Sequence, residues 1–152
     1  MSSQLKILRT YAKMDDVAIV KLPPTVYLSH TQYTLTIFDA YPKALFHFLI
    51  LPRLQISAAT TNDDGNGDEG GSLSELTASE SDLESLRTLL RRAAAPDSTS
   101  SSTRARAQAA SMLRVLADAA ARLRGEIERE MEARYGFVWD VWVGFHAVPS
   151  ME

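Results

Sequence analysis

Tyr33-Thr34-Leu35-Thr36-Ile37-Phe38-Asp39, then Ala40-Tyr41-Pro42-Lys43, then Ala44-Leu45-Phe46-His47-Phe48-Leu49-Ile50-Leu51: the reading of this stretch decides the fold. The first seven residues alternate and are rich in β-branched and aromatic side chains, which predicts a strand. Ala40 to Lys43 predicts a turn, with Pro42 setting the backbone. Ala44 to Leu51 is apolar apart from His47. That predicts a central strand covered on both faces and ended by Pro52. Two strands and a short connection make an antiparallel hairpin.

Outward from the hairpin, residues 4–31 begin with Leu5, Leu8 and Ala12, and with Ile7 and Tyr11, at helical spacing. Pro23-Pro24 stops any helix there. Residues 57–72 are mostly Ser, Thr, Gly, Asn and Asp, too polar to bury a core, and an acidic disordered insert is expected over 57–80. Ser81-Asp82-Leu83-Glu84 reads as a capping box, and Leu83, Leu86, Leu90 and Ala93 give the helix it opens an apolar stripe. After a Ser/Thr-rich break from Pro96 to Thr103, a long helix is predicted to about Arg134. Its stripe is Ala109, Met112, Leu116, Ala119, Leu123, Ile127 and Met131. Gly136 follows, as helix C-termini prefer. Phe137 to Phe145 alternates again and predicts a third core strand. Hairpin, helices and strand together predict one α+β domain over 1–152, with helices packed on one face of an antiparallel sheet.

The chain has no cysteine, which excludes disulfides, thiol nucleophiles and thiolate zinc sites. Three scattered histidines, His30, His47 and His146, do not suggest a metal site, and no metal or cofactor is expected. The start, Met1-Ser2-Ser3-Gln4, lacks the pattern of a signal peptide, and no apolar run reaches the ~20 residues of a membrane span. A soluble intracellular protein without a membrane partner is the expectation. Eight acids, Asp63, Asp64, Asp68, Glu69, Glu75, Glu80, Asp82 and Glu84, fall in the insert and its helical approach, with no Lys or Arg between them. The rest of the chain keeps 11 acids against 16 bases, a net charge of +5. That suits an anionic partner, although a solvated cationic surface has the same composition.

Three groups of residues could carry chemistry. Lys43 stands at the rim of the first hairpin, where an ammonium suits a phosphate. Asp39 and Lys43 also read as ordinary turn residues, one making an Asx-type bond and the other solvated. His47 inside an apolar strand reads first as a satisfied core histidine. At the far end, Gly144-Phe145-His146-Ala147-Val148-Pro149-Ser150-Met151 delivers an imidazole and a hydroxyl to a strand end. Imidazole protonates leaving oxygens and a hydroxyl donates to a phosphoryl oxygen. A plain strand end with a capping serine accounts for the same residues. Arg104, Arg106, Arg114, Arg122 and Arg124 give the long helix a basic face, either for nucleic-acid phosphates or merely solvated.

Asp39-Ala40-Tyr41-Pro42-Lys43-Ala44-Leu45-Phe46-His47 through Leu51-Pro52-Arg53, followed by Gly144 to Met151, resembles the histidine-triad (HIT) superfamily. Within it the match is to the aprataxin branch, especially its fungal members. The resemblance implies an α+β fold with a sheet of up to five antiparallel strands, the last of them missing here. It implies removal of AMP from 5′-adenylated DNA ends through a nucleotidyl-histidine intermediate, in the nucleus. Carried over, His146 assists the leaving phosphate as the catalytic residue present, Ser150 and Lys43 hold phosphates, and Asp39 lies near the nucleotide pocket. The nucleophilic histidine is expected just past Glu152, so this stretch alone is expected to lack turnover. With no cysteine in these residues, the family's C-terminal zinc-finger region is not expected within them. Two alternatives stay open: a non-catalytic HIT-fold module binding nucleotide or DNA, and a HIT hydrolase of small adenylated nucleotides. Self-association through the uncovered edge of strand 137–145 is a further expectation.

Overall fold

The computed structural model describes residues 3–54, 86–94 and 100–145. In chain order the elements are α1 (Ser3–Ala12), α2 (Asp16–Ile19), β1 (Tyr27–His30), β2 (Thr34–Phe38), β3 (Phe48–Pro52), α3 (Leu86–Ala93) and α4 (Ser100–Tyr135). The acidic insert at 57–80 and the capping box at Ser81–Glu84 lie outside the described residues.

The sheet has three strands in the order β1-β2-β3, all neighbours antiparallel. The coarse expectation of an α+β domain with an antiparallel sheet therefore holds. The predicted hairpin is β2–β3, in unbroken register from Thr34↔Pro52 to Phe38↔Phe48. β1 was not read from the sequence. Its connection to β2 carries no Gly, Pro or Asn. Instead the Thr31 hydroxyl accepts the amide N–H groups of Tyr33 and Thr34 at 3.2 and 3.0 Å, and side-chain chemistry of this kind closes a turn as well as glycine does.

Period two sorts the strands into two faces. Leu35 and Ile37 on β2, with Leu49 and Leu51 on β3, face Ile19 of α2 and Leu8 and Tyr11 of α1. The other face shows Thr34 and Thr36, with Ile50 packed on a cluster of Leu89, Ala109, Met112 and Leu116 from α3 and α4. Helices thus cover both faces, not one. The correction has a simple cause: residues 4–31, weakly patterned in sequence, make two helices that pack on the apolar face of Leu35, Ile37, Leu49 and Leu51. Each fully buried Leu or Ile here adds about 1.5–3 kcal/mol.

β3 was expected to be central, and among the described strands it stands at the edge. The Arg53 N–H donates to the Tyr33 carbonyl and the Asp39 N–H to the His47 carbonyl, so the odd residues of β3 turn their backbone toward β2. Phe48, Ile50 and Pro52 turn theirs outward. Pro52 is the last residue of the strand, as expected, and its missing N–H falls on the outer side, where no ladder bond is lost.

The long helix matches its predicted stripe. Ala109, Met112, Leu116, Ala119, Ile127 and Met131 are buried, and Leu123 is half-buried. It ends where expected: Gly136 has φ +72 and its N–H caps the Glu132 carbonyl at 2.9 Å. Phe137 to Phe145 is not a strand. These residues carry no regular structure, and Phe137, Val138, Trp142, Val143 and Phe145 are exposed. An alternating pattern makes a strand only when a free edge lies beside it. Here the segment pairs with neither edge and lies beside the end of α4, where Trp139 meets the Tyr135 ring.

Candidate functional site

The connection between β2 and β3 is longer than the four-residue turn expected: beyond the Asp39 N–H bond to the His47 carbonyl at its neck, the Tyr41 and Lys43 amides are bound by side chains. Asp39 Oδ1 accepts the Tyr41 N–H at 2.8 Å, the Asx bond foreseen from the sequence. Pro42 has no N–H. The Lys43 N–H donates to His47 Nδ1 at 3.1 Å. The strand therefore starts at Phe48, and His47 is a loop residue at the hairpin's neck rather than a core histidine within the strand.

These bonds bring three residues together. His47 Nδ1 also lies 3.4 Å from Asp39 Oδ2, with both side chains mostly buried. Lys43 itself is exposed. The arrangement is a loop pinned from below by a carboxylate and an imidazole, presenting an ammonium above them. A point cation held on a fixed loop is suited to one oxyanion rather than to bidentate recognition.

Of the four predicted site residues, Asp39 and Lys43 share this tip. His146 and Ser150 lie outside the described residues. His47 is the residue sequence reasoning passed over as functional. The available signal was its spacing, four positions after Lys43, as the one polar side chain in an apolar run.

Elsewhere, Arg53 is buried and ties three elements together. Its terminal nitrogens donate to the Thr31 and Met14 carbonyls at 2.9 and 3.1 Å, and Nη1 lies 2.7 Å from Asp16 Oδ1. His30 Nδ1 meets the Tyr27 hydroxyl at 2.9 Å. A hollow of about 50 Å³, room for a water or two, separates Thr34 and Thr36 from Arg122 and Glu126 of α4. Thr34 and Asp39 lie at opposite ends of β2, about 17 Å apart, so this hollow is not the tip site.

The basic face of α4 is interleaved with acids. Arg124 Nε donates to Glu128 at 2.8 Å, and that bond raises the arginine's pKa further. Arg134 pairs with Glu130 in the same way. Among the described residues no cluster of His, Asp and Glu is placed to hold a metal ion, and no helix is long and apolar enough to cross a membrane. No protein-family model, curated protein or solved structure matches this chain.

Proposed function

We propose that this chain is an aprataxin-like HIT domain whose first hairpin tip engages the phosphates of an adenylated DNA 5′ end, in nuclear DNA repair. The observation that carries the reading is the pinned loop. Asp39 and His47 hold the segment from Tyr41 to Lys43, and the ammonium stands on it at the rim of the sheet. A cation whose loop is ordered before binding sacrifices less entropy when the anion arrives.

In this reading Lys43 binds a phosphate oxygen, Ser150 donates to another, and His146 protonates the leaving phosphate. Attack at phosphorus requires a second imidazole. His47 is not disposed for it, since Nδ1 faces the Lys43 amide and the Asp39 carboxylate. His30 sits at the opposite end of the sheet, bonded to Tyr27. Neither described histidine is therefore free to attack phosphorus, and a non-catalytic module that binds through the same tip is the second reading.

One titration separates these readings. A fluorescent 5′-adenylated oligonucleotide is mixed with the chain and with Lys43→Ala, and both anisotropy and AMP release are followed. The proposal expects salt-dependent binding that Lys43→Ala weakens about tenfold. Binding without AMP release fits both DNA-binding readings of this stretch, whereas AMP release from adenylated DNA excludes the non-catalytic module. AMP release from small adenylates in preference to DNA selects the small-nucleotide hydrolase. Equal affinity of the two proteins removes the tip from the site.

A further inference from the structure

One part of this molecule is a strand pattern without a sheet, and another is a sheet edge without a strand. Phe137, Trp139, Val141, Val143 and Phe145 fall on one side of an extended segment, and every one of them is apolar. The segment is described, lacks regular structure, and leaves Trp142 92% exposed. Asp140 is its only charge. An apolar stretch of this size on a surface marks an interaction site.

The receptive edge is β3. Its outward groups are the N–H and C=O of Phe48 and Ile50 and the C=O of Pro52, and no described residue pairs with them. The end of this edge is closed by the Leu54 N–H, which donates to the Ala12 carbonyl at 2.8 Å. The opposite edge, β1, is shorter and its register is broken between Tyr27 and Ser29, an irregularity that blunts an edge.

The segment of the same molecule does not reach. α4 crosses the sheet from the β3 side, where Met112 and Leu116 meet Ile50, to the β1 side, where Arg122 and Glu126 face Ser29 and His30. At 1.5 Å per residue, Gly136 lies about 30 Å along the helix axis from Leu116. Nine extended residues span about 30 Å in all, so the return alone would consume the segment. A second copy is under no such limit.

We propose that two copies exchange residues 137–145, each segment adding a fourth strand to the other copy's β3 edge. The exchange is reciprocal, so a closed twofold dimer results, with no β3 edge or 137–145 segment left to recruit a third copy. It does not depend on what the hairpin tip binds.

The test uses the whole chain. Sedimentation between ~1 and ~100 μM, a range that brackets a modest interface, is expected to show the mass rising from 16.8 kDa toward twice that value. Amide hydrogen exchange at Phe48 and Ile50 is expected to slow at least tenfold as the dimer fills. Val143→Pro is expected to abolish both effects, while its circular dichroism stays that of the parent, because Val143 is exposed and outside every element. A monomer at all concentrations overturns the proposal. So does a dimer whose Phe48 and Ile50 amides exchange freely, or one that survives Val143→Pro. Protection of those amides in a monomer assigns the edge to the chain's own residues and overturns it equally.

Discussion

His47 Nδ1 faces Asp39 Oδ2 at 3.4 Å while accepting the Lys43 amide N–H at 3.1 Å. With its lone pair on Nδ1 the ring accepts the amide. The pairing therefore controls how firmly the Lys43 loop is held. Replacing His47 by Ala is expected to lower affinity for adenylated DNA about fivefold, the worth of one hydrogen bond near 1 kcal/mol. His47→Asn, whose side-chain oxygen can take the place of Nδ1, is expected to retain most of it. Anisotropy titrations compare the two, and equal losses would show that the amide bond does not matter.

Arg53 joins the α1–α2 connection at Met14, the β1–β2 turn at Thr31 and the α2 carboxylate of Asp16. Its Nε is buried without a hydrogen-bond partner, so the terminal nitrogens do the joining. Asp16 is largely exposed and keeps its hydration when the arginine is lost, which limits the damage. Arg53→Ala is expected to cost about 2–3 kcal/mol in urea unfolding, and Arg53→Lys nearly as much, because a single ammonium cannot reach both carbonyls. Full stability in the lysine variant would contradict this.

Gly136 stands at φ +72, with nothing within 4 Å of a built Cβ. Only backbone strain opposes a side chain there. Gly136→Ala is expected to destabilise by about 1–2 kcal/mol, and Gly136→Asn by less, since asparagine tolerates the left-handed region. Thermal melts of the three proteins rank them.

Met112 is buried against Leu89, Leu116 and Ile50, while Trp142 stands in solvent. Met112→Ala is expected to cost about 2–5 kcal/mol through lost contacts and the cavity left behind. Trp142→Ala is expected to stay within about 0.5 kcal/mol for the dilute monomer. A large effect at Trp142 under dilute conditions would mean that the segment is folded onto its own molecule.

The residues with regular local patterns were legible without coordinates. The seven-residue stripe of α4, the glycine after it, the β2–β3 pairing and the Asx bond at Asp39 depend on neighbours within a few positions. Helical spacing, a left-handed cap and a short polar side chain act on that scale, so sequence determines them. Two of the three tip residues, Asp39 and Lys43, were read locally as turn residues, and their place in a site came from the resemblance.

Tertiary structure alone decided the rest. β1 exists because Thr31 turns the chain and β2 offers a partner, and neither is a periodic signal. Helices occupy both faces because Leu35 and Ile37 required a cover that only α1 and α2 were placed to give. His47 became a loop residue because Lys43 claimed its ring. Alternation in 137–145 marks readiness to pair, but pairing needs an edge within reach, and the course of a 36-residue helix sets that distance. Local order follows from adjacent residues; which strand lies beside which depends on closing long loops, and the pattern within one strand carries no record of that.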